Sequence, residues 1–268
     1  MTNAEDPARA PLVPVRFLSL PALIMICALA GGCVTDANRA PLPTYAIMSD
    51  RDSLNLIAAR QSTINTVSAR CDIVLTDPQG QTVNLDGALL AMPATPTGPK
   101  VRLRAWKLGQ AVFDITLTNG QAWLIAPDNP RMPNFADTST PAQTSRRIAE
   151  ALDFIGPAFF QSAAIASSTP TSITASSADT TSTPTFCQID RATLTPQRFT
   201  SGGKDASIAA ISEIFFSDYR LLGAIPWPHR LHLTSPGGTV IVSMSDVELN
   251  AELPPSAFVP PARARQLP

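Results

Sequence analysis

Residues 100–126 read KVRLRAWKLGQAVFDITLTNGQAWLIA, and this stretch decides the fold. Phe113, Ile115 and Leu117 fall on one side of an extended chain, and Asp114, Thr116 and Thr118 on the other. A period of two is that of a strand whose two faces meet different surroundings. Leu108-Gly109 and Asn119-Gly120 interrupt the pattern, and Asn-Gly is a strong hairpin dipeptide. Three short strands joined by tight turns make an antiparallel meander with one apolar face and one wet face.

The same period extends outward. CDIVL (71–75) is followed by the turn signal Asp77-Pro78-Gln79-Gly80, and VNLDGALLA (83–91) ends at Met92-Pro93. The meander therefore has about five strands before Pro127. Ahead of it, residues 50–67 place Leu54, Ile57, Ile64 and Val67 near one face at helical spacing, with Asp50 as N-cap. Residues 127–140 read as loop. A second helix is expected from Thr140, with Pro141 at its first position and a stripe of Ile148, Leu152, Ile155 and Phe159. Gly156-Pro157 should break or kink it. Residues 162–185 are mostly Ser, Thr, Ala and Pro and read as a mobile strip. Strand patterns resume in FCQIDRATLTPQRFT, which turns at Ser201-Gly202-Gly203, then in ASIAAISEIFFSDYRLLG, HRLHLTS and TVIVSMSDVELN, with Ile225-Pro226-Trp227-Pro228 before HRLHLTS. Strands outnumber helices, so the expected class is α+β, mainly β.

The N-terminus sets the compartment. Phe17 to Ala30 is apolar but shorter than the roughly 20 residues a spanning helix needs. It suits a signal-peptide core, with Arg9 and Arg16 before it and small residues after. Leu29-Ala30-Gly31-Gly32-Cys33 resembles a bacterial lipobox, although Ala30 stands where Leu is usual. On that resemblance the chain is cut before Cys33, whose thiol is diacylated. The domain boundaries expected are a lipoprotein signal peptide at 1–32, a tether at 33–48, one domain at 49–262 and a tail at 263–268. An ordinary secretory signal, with Cys33 incidental, is the alternative; a cytoplasmic chain fits the flanks poorly. Acyl chains at Cys33 would hold the protein at a membrane. Val34, not Asp, follows the cysteine, which favours an outer-membrane site facing the periplasm under the best-known sorting rule.

The formal net charge is −1, and no basic block exceeds Arg146-Arg147, so nucleic acid is not an expected partner. Twenty-six prolines oppose a mostly helical chain. Cys27 leaves with the signal and Cys33 takes lipid, so Cys71 and Cys187 either pair as a disulfide in an oxidising envelope or sit as buried thiols. His229 and His232, three apart, fall on opposite strand faces, with no cysteine or carboxylate cluster beside them. They read as surface histidines, and no metal site is expected. No nucleophile elbow, P-loop or dinucleotide fingerprint appears, so neither catalysis nor a cofactor is expected.

What remains is apolar surface. A one-sided sheet that curls around helices can leave a cavity for an apolar ligand. Its candidate lining is Leu103, Phe113, Ile115, Trp123, Ile125, Ile148, Leu152, Phe159, Phe215, Tyr219 and Trp227. Each of these taken singly reads first as a core residue, and the cavity is a reading of the set.

Several phrases resemble the bacterial lipoprotein carriers of the LolA/LolB superfamily. They are MPATPTGPKVRLRAWK, then TLTNGQAWLIAPDN, then Ile189-Asp190, Thr193-Leu194, Pro196 and Arg198. Ser217 to Arg220 follow, and then Ile225, Pro226, Pro228, Leu231 and Leu233. The resemblance covers about residues 50–260. It implies an incomplete antiparallel β-barrel (a half-barrel) closed by α-helices, with an apolar cavity for lipid or lipoprotein acyl chains. It also implies acylated cargo as the ligand; an accessory envelope lipoprotein with a protein partner is the alternative role. LolB-like receptors expose a large apolar residue on a loop. The turn compared with it here, Ala94 to Pro99, has none, and the Ser/Thr segment 162–185 is extra.

Overall fold

The computed structural model describes residues 40–93, 95, 98–125, 156–177, 185–201, 212–235 and 238–266. The chain from Ala40 onward is one unit. Helix α1 (Asp50–Gln61) leads into five strands: β1 (Val67–Thr76), β2 (Thr82–Met92), β3 (Lys100–Lys107), β4 (Gln110–Thr118) and β5 (Gln121–Ile125). After the short helix α2 (Pro157–Ser162) come β6 (Ala164–Ser168), β7 (Ser172–Ser176), β8 (Thr185–Asp190), β9 (Thr195–Ser201), β10 (Ser212–Leu222), β11 (Ile225–Ser235) and β12 (Gly238–Leu249). A 3-10 turn (Pro255–Phe258) and the two-residue β13 (Arg265–Gln266) close the chain.

These strands form one open antiparallel sheet, ordered β13-β5-β4-β3-β2-β1-β12-β11-β10-β9-β8-β7-β6. It is two meanders joined where β1 pairs with β12, Ile73 facing Val242 and Leu75 facing Val240. The five-strand meander expected from residues 71–126 is present. Asn119-Gly120 turns with φ of 52° and 72°, the left-handed pair of a type I′ hairpin.

Inward side chains of both meanders and of α1 and α2 share one core. Leu54 and Ile57 of α1, Ile73, Leu89, Leu103, Phe160, Ile189, Phe199 and Trp227 all belong to it. Helix α1 is pinned at its start by Arg191, which is only 8% exposed. Arg191 Nε donates to Thr169 O at 2.9 Å, Nη1 to Met48 O at 3.3 Å and Nη2 to Ser168 Oγ at 2.6 Å. Its Nη2 also pairs with the Asp50 carboxylate. Ser49 is therefore the N-cap, its Oγ accepting from Asp52 N at 3.1 Å, and Asp50 is spent on Arg191.

Four further expectations change. The first helix ends at Gln61, not at 67. The β-branched run Thr63, Ile64, Thr66, Val67 favours extended chain, and Asn250 clamps the exit, accepting from Asn65 N at 2.7 Å and donating to Thr63 O at 3.0 Å. Ile225–Pro228 opens β11 and is not a separator; the turn before it is Gly223-Ala224. Proline is tolerated there because β12 joins β11 only from Arg230 onward, so this stretch pairs with β10 alone. The Ser/Thr-rich segment is not simply a mobile strip: its first half forms β6 and β7, because Ile173 and Ala175 alternate with polar residues and are buried. Lastly, the second face of β4 is not wet at Thr116, which is 0% exposed.

The expected loop at 127–140, the helix start at Thr140, and Ile148, Leu152 and Ile155 lie outside the described residues, as does Cys33. At Gly156-Pro157, where a break or kink is expected, Gly156 is extended and Pro157 begins α2, while the helix expected before it lies outside the described residues.

Candidate functional site

Antiparallel pairing decides which candidate residues share a face. Leu103 faces Leu89 on one side and Ile115 on the other, and Ile115 faces Leu124. That row is the inner face. Leu103 is 1% exposed and Trp227 0%, so both are core. Phe159 joins it through edge-on contacts to Phe160 and Phe199, each with ring centroids 5.3 Å apart. Tyr219 packs there too, its hydroxyl donating to Pro196 O. Burial pushes that hydroxyl's pKa up. Phe113 is half-buried against the same core, next to a bulge at which Val112 is the extra residue.

Three candidates do not line this face. Trp123 pairs with Thr116 and Ile125 with Asp114, so both lie on the outer face. Phe215 alternates with buried Ile214 and Phe216 and pairs with His232, again outside. The Arg198 guanidinium sits 5.4 Å from its ring centre.

The disulfide is not formed. Cys71 and Cys187 are free and buried, and β12, β11, β10 and β9 lie between β1 and β8 in the sheet. Desolvation pushes the Cys71 thiol up to about 12, and that of Cys187 well up. His229 is buried, not a surface residue, with Nδ1 3.2 Å from Trp227 O. Among the described residues no three His, Cys, Asp or Glu gather as a metal site, and no helix is long and apolar enough to cross a membrane.

The outer face of β3–β5 is built differently. Arg102 donates to Asp114 from Nε at 3.0 Å and Nη2 at 2.8 Å, and from Nη1 to Ala257 O at 3.1 Å. The C-terminal segment thus straps this face, burying Ala257 and Phe258, and β13 extends the sheet beyond β5. A cleft of about 590 Å³ opens beside the β3–β4 hairpin, lined by Arg104, Trp106, Asp114, Ile125 and Pro261 and also by Ala105 and the candidate Phe113, whose parity is that of the inner face.

At the edge of this cleft is the residue sequence reasoning missed. Leu108 tips the β3–β4 hairpin, 94% exposed, with φ at 51° and Gly109 at 77°. This is the same turn geometry as Asn119-Gly120, with leucine in the place asparagine favours. A bulky residue at positive φ is strained, by about 1–3 kcal/mol. A large exposed apolar side chain, which the sequence Ala94–Pro99 lacks, thus stands on the next turn. The signal was available: an X-Gly hairpin turn whose X is apolar has nowhere to bury it.

No protein-family model matches the chain, and no curated protein does either. Solved structures do. A domain from Vibrio parahaemolyticus described as an outer membrane lipoprotein-sorting protein domain superposes with a TM-score of 0.53 at 13% identity, over 78% of this chain and 95% of its own. A LolA superfamily protein from Nitrosomonas europaea gives 0.51 at 10%, over 79% and 98%. A DUF1329 family protein from Desulfovibrio piger gives 0.53 at 11%, over 79% and 98%. The likeness is one of fold, and the fold is LolA/LolB-like.

Proposed function

We propose that this chain is a lipid-anchored envelope protein, facing the periplasm from the outer membrane, that binds lipid or lipoprotein acyl chains and passes them to a membrane. The observation that carries the reading is Leu108, an apolar side chain held out in water on a strained turn. A bulky side chain held at positive φ and open to water is a candidate contact for something apolar. The LolA/LolB-like fold supports the same reading, since one protein of that fold is described as sorting lipoproteins. So does the lipobox-like run ending at Cys33. In this reading the open sheet is an incomplete barrel closed by helices, and acyl chains lie against the inner face of β3 and β4. Burial of their CH₂ groups supplies the affinity, and no covalent step is assigned to the protein.

A second reading, an accessory lipoprotein with a protein partner, is favoured by the filled state of the described inner face. Leu54, Ile57, Leu103, Phe160, Phe199 and Trp227 are all at 1% exposure or less. Native mass spectrometry of residues 34–268, purified without detergent, separates the two. A stoichiometric lipid, or uptake of added acylated peptide, supports the carrier. A clean protein mass with no uptake sinks it and leaves the accessory reading.

A further inference from the structure

A second cleft lies on the outer face, at the end of β2–β4 away from the Leu108 hairpin. Ala91, Val101 and Leu117 are buried on the inner face, so their neighbours Met92, Lys100 and Thr118 have outward parity. Met92 pairs with Lys100, and Thr118 follows Leu117, the partner of Val101. Thr66, just before Val67 and its partner Ala91, extends the row to β1. The row spans three strand spacings, about 14 Å, and is the floor of the cleft. The C-terminal strap is its wall: Leu253, Phe258 and Val259 line, with the row, a space of about 550 Å³. The strap is fixed on both sides of it. Thr66 Oγ1 donates to Ala251 O at 2.6 Å, and Arg102 Nη1 to Ala257 O at 3.1 Å. The cleft is therefore preformed.

Its lining is apolar with one charge. Met92, Leu253, Phe258 and Val259 supply the hydrocarbon, and Val259 is 57% exposed. Lys100 is half-buried. Among the described residues no carboxylate pairs with its ammonium. Asp114 has the same outward parity but lies four residues from Thr118 along β4, where Arg102 holds it bidentate. Glu252, beside Leu253, is exposed. A half-buried cation without a counter-ion carries a desolvation cost that an anion brought to it would offset.

We infer that this cleft binds an anionic single-chain amphiphile of the fatty-acid class, its chain against Met92, Leu253 and Val259 and its carboxylate on Lys100. A preformed apolar cleft of this size with one polar group to fix orientation is the usual form of a small-molecule site. One ammonium matches one carboxylate in charge. The Thr118 hydroxyl and the Asn119 amide, which also line the cleft, are further donors for its second oxygen. This goes beyond the proposed function, because the cleft lies on the face of the sheet opposite the inner one to which that reading assigns acyl chains.

The test is calorimetric titration of residues 34–268 with decanoate and with decanol, an uncharged chain of the same length. Lys100→Met should weaken decanoate by at least about tenfold, the worth of a charge-assisted hydrogen bond, and leave decanol unchanged. Lys100→Arg should keep decanoate binding. Val259→Glu, at an exposed position, should weaken decanoate by repulsion. In a two-dimensional amide NMR spectrum decanoate should shift Lys100, Thr118 and Val259, which locates the site without any variant. Equal decanoate affinity in the parent, Lys100→Met and Val259→Glu would put the chain elsewhere; that overturns the cleft and leaves the proposed function standing. No decanoate binding by the parent would also overturn the cleft, while the proposed function is decided separately by uptake of acylated peptide. Decanoate and decanol weakened alike by Lys100→Met would show that the lysine packs and does not pair, and would overturn the anionic ligand.

Discussion

Arg191 and Asp50 are 141 residues apart in sequence and form the ion pair that fixes where α1 begins. The pair joins the N-terminal segment to the β6–β7 and β8–β9 turns, because the same guanidinium also donates to Met48, Ser168 and Thr169. Asp50 is partly open to solvent and Arg191 is not, so removing the arginine costs more: it strands several acceptors at once. Arg191→Leu should destabilise by about 2–4 kcal/mol, read by urea unfolding. Asp50→Asn should cost less, and a larger loss from Asp50→Asn than from Arg191→Leu would refute the arrangement.

The pair also makes a pH prediction. The hydrogen bond from Arg191 holds the Asp50 carboxyl below the usual carboxylate range, against the opposing effect of burial. A lowered folded-state pKa contributes stability above the unfolded value of about 3.9, lost as pH falls through the folded value. The stability gap between parent and Asp50→Asn should be constant above about pH 5 and shrink below about pH 4. A gap that widens on acidification would show that the carboxylate is not held by the arginine.

Buried thiols with raised pKa values do not form thiolate at ordinary pH, and thiolate is the reactive species. Residues 34–268 contain Cys71 and Cys187 only, both free and buried. Ellman's reagent at pH 8 should find no thiol in the folded protein and both after denaturation. No thiol after denaturation would mean a disulfide and a sheet of different curvature.

The turns were legible because their chemistry is local. Asn119-Gly120 and the alternation of residues 113–118 need nothing from the rest of the chain. Facing was less so. Ile214-Phe215-Phe216 is three apolar residues in a row and carries no parity, so pairing with His232, not sequence, sends Phe215 outward. Trp123 and Ile125 are apolar yet outward because the C-terminal strap covers that side of the neighbouring strands, a contact between segments over a hundred residues apart. Arg191–Asp50 is invisible for the same reason. The helix misplaced at 62–67 reflects a competition: the apolar spacing fits, but β-branched residues and the Asn250 clamp win.

Thr116 is fully buried beneath that strap, and its hydroxyl has no hydrogen-bond partner among the described residues. An unpaired buried hydroxyl costs about 1–3 kcal/mol. Thr116→Val, of nearly the same shape, should raise stability by about 1 kcal/mol. A loss instead would place a bridging water at that oxygen.

Gly238 has φ at 119°, and a Cβ there would stand 2.2 Å from Thr76 O, on the strand that joins the two meanders. Neither backbone can move without opening the β1–β12 pairing. Gly238→Ala should cost at least about 2 kcal/mol, lowering Tm by about 4–8 °C. Gly109 also has positive φ, at 77°, but a Cβ there meets nothing within 4 Å. Gly109→Asn should therefore be tolerated within about 1 kcal/mol. Equal losses at the two sites would mean that the Thr76 carbonyl is not where the pairing puts it.

Leu108 gives the sharpest separation of stability from function. Its backbone is that of a residue type it is not, and its side chain is in water. Asparagine suits the φ of 51° and loses nothing by exposure. Leu108→Asn should therefore stabilise the fold by about 0.5–1 kcal/mol, seen as a higher urea midpoint at unchanged slope. The same variant should lose transfer of bound acyl cargo to vesicles while keeping any lipid held inside. A variant that is both more stable and fully active would show that the strained leucine serves no membrane. One that is less stable would show that Leu108 packs against a part of the chain and is not free in water.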